Sequence, residues 1–212
     1  MNKKLLILML FVTLNVLGQR SRDQYSFEAA YGLGASGQPG ITQFSHFDVG
    51  FRYMLNEKWG FKFDYGSDRF REDTEVAGIN TETGVDYHRL SFNVVHNLGR
   101  TINIHNYTAG FNVLAHAGFG YSWINPVNIS AVDEIDSMGN VIIGITPQCY
   151  IMKNLALHAD VSYIVNFSQH RDFDGQLHYP TNGVKSFVGS MANVSLGLTY
   201  YFGANKSDSD WR

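Results

Sequence analysis

Apolar and polar residues alternate along most of this chain with a period of two, the spacing at which side chains of a β-strand share a face. The pattern is clearest over residues 191–202. There, apolar side chains occupy one face from Val194 to Phe202, and small or hydroxyl side chains such as Ser195 and Gly197 occupy the other. A strand with these two faces is typical of a sheet between hydrocarbon and a polar interior.

Seven earlier segments alternate in the same way, and their apolar faces carry essentially no Asp, Glu, Lys or Arg. A charge in the middle of a lipid-facing surface costs about 2 to 4 kcal/mol, so this absence favours a membrane over water outside the sheet. The pattern predicts an all-β fold, an eight-stranded antiparallel transmembrane β-barrel. Its predicted strands are 25–34, 44–54, 59–66, 89–94, 107–123, 141–146, 155–166 and 191–202.

The predicted connections differ in length. Residues 35–43, 67–84, 124–138 and 168–186 form long loops, 56–58 and 152–154 form short turns, and 96–106 is intermediate. Short periplasmic turns and long extracellular loops are typical of membrane barrels, and an even strand number leaves both termini in the periplasm. Because Pro147 lacks a backbone donor, we expect a bulge or a strand end there.

The N-terminus predicts export. Two lysines precede an apolar run over residues 5–17, which is typical of a secretory signal peptide. We therefore divide the chain into a signal peptide (1–18), an outer-membrane barrel domain (19–202) and a short polar periplasmic tail (203–212). We expect the tail to contribute nothing to barrel stability. The predicted location is the cell outer membrane.

Composition agrees with a sheet-rich envelope protein. The chain contains 21 Gly, 12 Tyr and 15 Phe, and only 17% of its residues are charged, against about 25% in soluble domains. A net charge of -3 without a basic cluster after residue 18 argues against a nucleic-acid partner. Cys149 is the only cysteine, so no internal disulfide exists.

Charged side chains are predicted on the inward faces of the strands. An eight-stranded barrel is only wide enough for its side chains to fill it, so these charges must pair across the lumen and plug it. The predicted ion-pair network consists of Glu28, Asp48, Arg52, Lys62, Asp64, Arg89 and Asp160. Inward histidines, His46, His116 and His158, are expected to add hydrogen bonds.

Motifs for other chemistry are weak. Gly32, Gly34 and Gly37 match a dinucleotide fingerprint, but Pro39 and Gly40 follow where a helix is required. The histidines lack metal-ligand spacing supported by cysteines, so we expect no metal and no cofactor. His170 and Asp172 lie in a segment that we interpret as a solvated loop.

The last strand ends in a polar-x-Gly-x-x-aromatic-x-aromatic pattern. Its residues are Ser195, Gly197, Tyr200 and Phe202. The pattern resembles the signal by which Gram-negative outer-membrane barrels are recognised for assembly.

Several short phrases also resemble the barrel domain of the outer membrane protein A family. They are Leu98-Gly99-Arg100, Leu114-Ala115-His116-Ala117-Gly118, Gly144-Ile145-Thr146-Pro147-Gln148, Ser168-Gln169-His170 and Phe173-Asp174-Gly175. The resemblance extends over most of residues 25–202. Many family members continue into a peptidoglycan-binding domain, and residues 203–212 resemble the start of a linker to it. We expect this chain to lack the domain itself.

The resemblance implies a non-enzymatic, OmpA-like or porin-like cell-envelope protein, with a structural role or a narrow, mostly closed pore. Implied partners are outer-membrane lipid and, during biogenesis, the barrel-assembly machinery, with a further protein partner left open. Two alternatives remain. One is a barrel enzyme acting on lipid or peptide at the extracellular rim, and the other is a soluble barrel that binds a ligand inside, which the charged lumen disfavours.

Overall fold

Eight antiparallel strands form most of the molecule. The computed structural model describes residues 24–76, 79–104, 108, 110–128, 135–178, 185–203 and 208–211. The predicted signal peptide lies outside the described residues. In chain order, the elements are β1 (Gln24–Ser36), β2 (Thr42–Met54), β3 (Trp59–Val76), β4 (Ile79–Asn97), α1 (Leu98–Thr101), β5 (Phe111–Val127), β6 (Asp136–Met152), β7 (Leu155–Gln169), β8 (Phe187–Phe202) and α2 (Asp208–Trp211).

The sheet closes on itself. Each strand pairs with the next, and β1 pairs with β8 from Tyr25 opposite Phe202 to Ser36 opposite Met191. The predicted eight-stranded antiparallel barrel is therefore confirmed. We call the end with residues 55–58, α1 and residues 153–154 the turn end, and the opposite end, with residues 37–41 and 170–178, the loop end.

The barrel is apolar outside and largely polar inside, the reverse of a soluble barrel. Buried polar side chains point inward from every strand. Large apolar side chains are exposed on the outer face, among them Phe27, Leu33, Phe51, Phe63, Phe92, Phe119, Ile143, Leu157 and Leu196. A continuous apolar exterior is stable only where hydrocarbon surrounds it, so the fold is that of a transmembrane barrel.

The predicted loop at 67–84 is wrong, because β3 and β4 continue through most of it. Pairing of β2 with β3 ends at Phe47 and Ser67, whereas β3 and β4 stay paired as far as Val76 and Ile79. The two strands thus project beyond the barrel as a ribbon. Phe70 and Val85 at its base are buried, and the polar residues beyond them concealed the rest of the ribbon.

Pro147 does not end its strand. It lies opposite Val113 of β5, while recorded pairs with β7 pass from Ile145 directly to Gln148. The register shift in this hairpin comes later, between Tyr150 and Met152. The missing donor therefore interrupts the ladder locally, and β6 continues.

A short helix occupies the intermediate connection at the turn end. The Asn97 side chain caps α1 by accepting a hydrogen bond from the Arg100 backbone nitrogen at 3.0 Å. The following strand begins at Phe111, later than the predicted residue 107. No helix in the described part of the chain is long and apolar enough to cross a membrane.

Candidate functional site: the barrel lumen

The charged centre of the lumen is formed by side chains from β1, β2 and β3. Arg52 Nε donates to Glu28 Oε1 at 2.7 Å, and Lys62 Nζ lies 3.2 Å from Glu28 Oε2. Asp48, which shares the inward face of β2 with Arg52, is also buried and interacts electrostatically with Lys62. One glutamate thus links cations from two neighbouring strands.

A second buried pair joins β3 and β4. Arg89 Nη2 lies 3.2 Å from Asp64 Oδ1, and Asn93 donates to Asp64 Oδ2 at 2.6 Å. Gly66 pairs with Arg89 in the ladder, and a Cβ on Gly66 would lie 3.0 Å from Arg89 Nη2. The inward glycine therefore provides the space that the guanidinium occupies.

Asp160 contacts hydroxyl and imidazole groups rather than Arg or Lys. His116 Nε2 lies 3.0 Å from Asp160 Oδ2, and Thr146 donates to the same oxygen at 2.7 Å. Ser162 donates to the other oxygen. All seven predicted network residues are buried in the lumen, and direct ion pairs with Arg or Lys are described for Glu28, Arg52, Lys62, Asp64 and Arg89.

The other inward histidines also have polar partners. His46 Nδ1 lies 2.9 Å from Asp68 Oδ1, and His158 Nδ1 lies 2.9 Å from the Thr199 hydroxyl. Across the described residues, no three His, Cys, Asp or Glu side chains are placed to hold a metal ion. Asp68 was missed because the sequence pattern placed it in a loop.

The turn end of the lumen is closed by the C-terminal segment. Asp210 of α2 is buried, and its carboxylate accepts hydrogen bonds from Arg52 at 3.1 Å, Gln148 at 2.8 Å and Tyr201 at 2.7 Å. Asn112 donates to the Asp210 carbonyl oxygen at 2.9 Å. The expectation that the tail contributes nothing to barrel stability did not include these contacts, because no sequence pattern marks a polar segment that buries one carboxylate among barrel donors.

The loop end is closed by apolar side chains instead. Phe173, from the connection between β7 and β8, is fully buried in an inward-facing cluster, where its ring contacts those of Phe70 and Tyr87. Its members are Phe70, Val85, Tyr87, Ile124, Met138, Ile142, Ile164, Phe173 and Met191, with Ile41 packed against them. An apolar cluster thus fills part of the lumen at this end, which the predicted charged network did not include.

A carboxylate anchors the segment that carries Phe173. Asp136 Oδ2 accepts from the backbone nitrogens of His170 at 2.6 Å and Arg171 at 2.9 Å. The side chain of His170 also contacts Asp136, while Asp172 contacts His178. Arg171 is buried, so the interpretation of this whole segment as a solvated loop is wrong.

The predicted assembly residues take the expected sides of β8. Ser195 is buried in the lumen and Tyr200 is exposed on the outer face. Phe202 stacks on Tyr25 and Phe27 of β1 at ring-centroid distances of 5.8 and 5.1 Å. Their role in assembly stays a prediction.

Solved structures show the same architecture. The chain is similar to Neisserial surface protein A (TM-score 0.57, 14% identity, covering 85% of this chain and 97% of that one). It is also similar to a major outer membrane protein from Thermus thermophilus (TM-score 0.55, 13% identity, covering 85% of this chain and 99% of that one). A third similar structure is that of Ail, the attachment invasion locus protein of Yersinia pestis, in complex with the heparin analogue sucrose octasulfate (TM-score 0.52, 15% identity, covering 85% of this chain and 99% of that one).

No protein-family model matches the sequence, and no curated protein matches it significantly. The structural likeness shows the fold: the chain is an eight-stranded barrel of the outer-membrane type, as the resemblance to outer membrane protein A barrels implied.

Proposed function

We propose that this outer-membrane barrel is a non-enzymatic envelope protein whose lumen is a narrow, mostly closed pore. The proposal rests on the side chains that fill the lumen. Ion pairs occupy its middle, Asp210 occupies its turn end and Phe173 its loop end. Such a barrel suits a structural role in the membrane, with conduction only when a closure opens.

Unpaired polar atoms support a narrow pore over a fully dry core. Arg89 Nε and Nη1, Asp68 Oδ2 and Ser91 Oγ are buried without a hydrogen-bond partner. Buried polar groups of this kind are usually satisfied by internal water. Carboxylates also outnumber Lys and Arg side chains in the described lumen, which favours cations over anions in any current.

Planar-bilayer recording tests the pore. The wild type should give weak, intermittent, cation-selective openings. Asp64→Ala should lengthen them, because removing this carboxylate leaves Arg89 and Asn93 without their partner and draws water in. A large, steady wild-type current would show that the lumen is an open channel.

Arrangements of Ser, His and Asp in the lumen do not favour the enzyme alternative. A catalytic triad places serine and aspartate on different nitrogens of the histidine. Here Asp160 and Ser162 both approach His116 Nε2, at 3.0 and 3.5 Å. At the rim, His170 and Asp172 contact different partners. Assays for phospholipid deacylation and peptide cleavage should show no turnover above that of a Ser162→Ala, His170→Ala variant.

The proposed partners are membrane lipid and the barrel-assembly machinery, with no nucleic acid and no peptidoglycan-binding domain in residues 24–211; a further protein partner stays open.

Phe202→Asp places a charge beside Tyr25 and Phe27 on the lipid-facing seam of β1 and β8. We expect the variant to be exported but not inserted, and degraded in the periplasm. Normal outer-membrane levels, measured by fractionation, would contradict the assembly role.

A further inference from the structure

We propose that the turn end of the lumen is a carboxylate-binding site, that Asp210 occupies it from within the chain, and that small carboxylate anions bind there when Asp210 is removed. Every donor belongs to a barrel strand. Arg52 comes from β2, Gln148 from β6 and Tyr201 from β8, whereas the acceptor lies on the four-residue helix α2.

The donors converge on one carboxyl group. Arg52 Nη1 contacts both carboxylate oxygens, at 3.2 and 3.1 Å, and Nη2 contacts Oδ2 at 3.1 Å. Gln148 Nε2 and the Tyr201 hydroxyl contact Oδ2 at 2.8 and 2.7 Å. A planar guanidinium with two further donors matches the shape and charge of a carboxylate.

Contacts within the barrel hold these donors in place without the tail. Arg52 Nε is fixed by Glu28, which fixes the plane of the guanidinium. Tyr201 also lies 3.3 Å from Gln148 Oε1, so these two side chains position one another. A site whose donors are already oriented needs little reorganisation to accept a new ligand.

Arg52 has two anionic partners in the structure, and Asp210 is one of them. Glu28 is shared between Arg52 and Lys62, with one oxygen for each. Without Asp210, Arg52 therefore lacks its second anionic partner in a fully buried setting. Leaving such a charge unpaired is costly, and a small carboxylate restores the pair.

Two further contacts are described for Asp210 and Trp211. Asn112 donates to the Asp210 carbonyl oxygen, and the Trp211 ring packs edge-on against Tyr150 at 5.5 Å. Most of the polar contacts described for Asp210 thus pass through its carboxylate.

Chemical rescue tests the site in the full chain, in detergent. We expect Asp210→Ala to lower the unfolding midpoint, and sodium acetate to recover most of that loss in a saturable way, with sodium chloride at equal ionic strength as the control. Acetate should not shift the wild type, whose site is filled, or the Arg52→Met, Asp210→Ala double variant, which lacks the guanidinium.

If Asp210→Ala does not fold in chloride, refolding is repeated in acetate and followed by far-ultraviolet circular dichroism. Folding in acetate alone supports the site, and failure in both salts overturns it. The proposal is also overturned if acetate leaves Asp210→Ala unchanged, or shifts the double variant equally. Asp73→Ala, which removes an exposed carboxylate on the ribbon, should not respond to acetate.

Discussion

The contacts that close the two ends of the lumen differ in chemistry. At the loop end, Phe173 packs among inward-facing apolar side chains, while at the turn end Arg52 is enclosed by Glu28 and Asp210. Apolar packing is non-directional and tolerates small shifts. A buried ion pair depends on every partner, because each one left alone is an unpaired charge in a medium of low dielectric constant.

This contrast predicts different responses to mutation. Losing one side chain at the turn end should disturb several partners on different strands. A loss at the loop end should leave a cavity that the connection between β7 and β8 can partly fill by moving. The turn end should therefore be the more sensitive of the two.

The largest effect is expected for Arg52→Ala. It leaves both Glu28 and Asp210 without their guanidinium, so we expect a loss of at least about 3 to 5 kcal/mol in the free energy of unfolding, the usual cost of breaking a buried pair. Urea unfolding in lipid vesicles measures it. Arg69→Ala, at an exposed position, is the control and should change stability little. Equal losses in the two variants would contradict the importance of the network.

Phe173→Ala should lower the free energy of unfolding less than Arg52→Ala does. We expect a loss near the lower end of the roughly 3 to 5 kcal/mol seen for Phe→Ala in protein cores, because the segment that carries Phe173 can relax. The same unfolding assay applies. Phe167→Ala is the matched control, since Phe167 is 45% exposed. If Phe173→Ala destabilised the barrel more than Arg52→Ala, the proposed ranking of the two ends would be reversed.

Asp136→Ala should have the smallest effect, a loss of about 1 to 3 kcal/mol, because it leaves two backbone donors without their acceptor. Hydrogen exchange should speed up at His170 and Arg171 while the strands stay protected. Asp174→Ala removes only a local bond to the Gln176 nitrogen and serves as the control. Unchanged exchange at both amides would show that Asp136 does not anchor the segment.

The strand pattern and the inward charges followed from the sequence because both depend on alternation, a local property. Glu28, Arg52 and Lys62 could be assigned to one face of their strands before any pairing was known. The ribbon of β3 and β4 could not be predicted, because its residues beyond Phe70 and Val85 are mostly polar and were interpreted as a loop.

The two closures also could not be predicted, because each joins distant parts of the chain. Asp210 contacts Arg52 across 158 positions, and no local pattern marks either residue as a partner of the other. Phe173 stands among polar residues in a connection without periodicity. Its apolar character in that setting was the available signal for a buried position.

Single-channel recording from four proteins tests the two closures most directly: the wild type, Arg52→Ala, Phe173→Ala and the double variant. Because the closures lie in series, opening one leaves the other in place. We predict brief openings in the wild type and longer ones in each single variant. In the double variant, the increase in conductance over the wild type should exceed the sum of the increases in the two single variants. A single variant that conducts as well as the double, or a large wild-type current unaffected by either substitution, would contradict two closures in series.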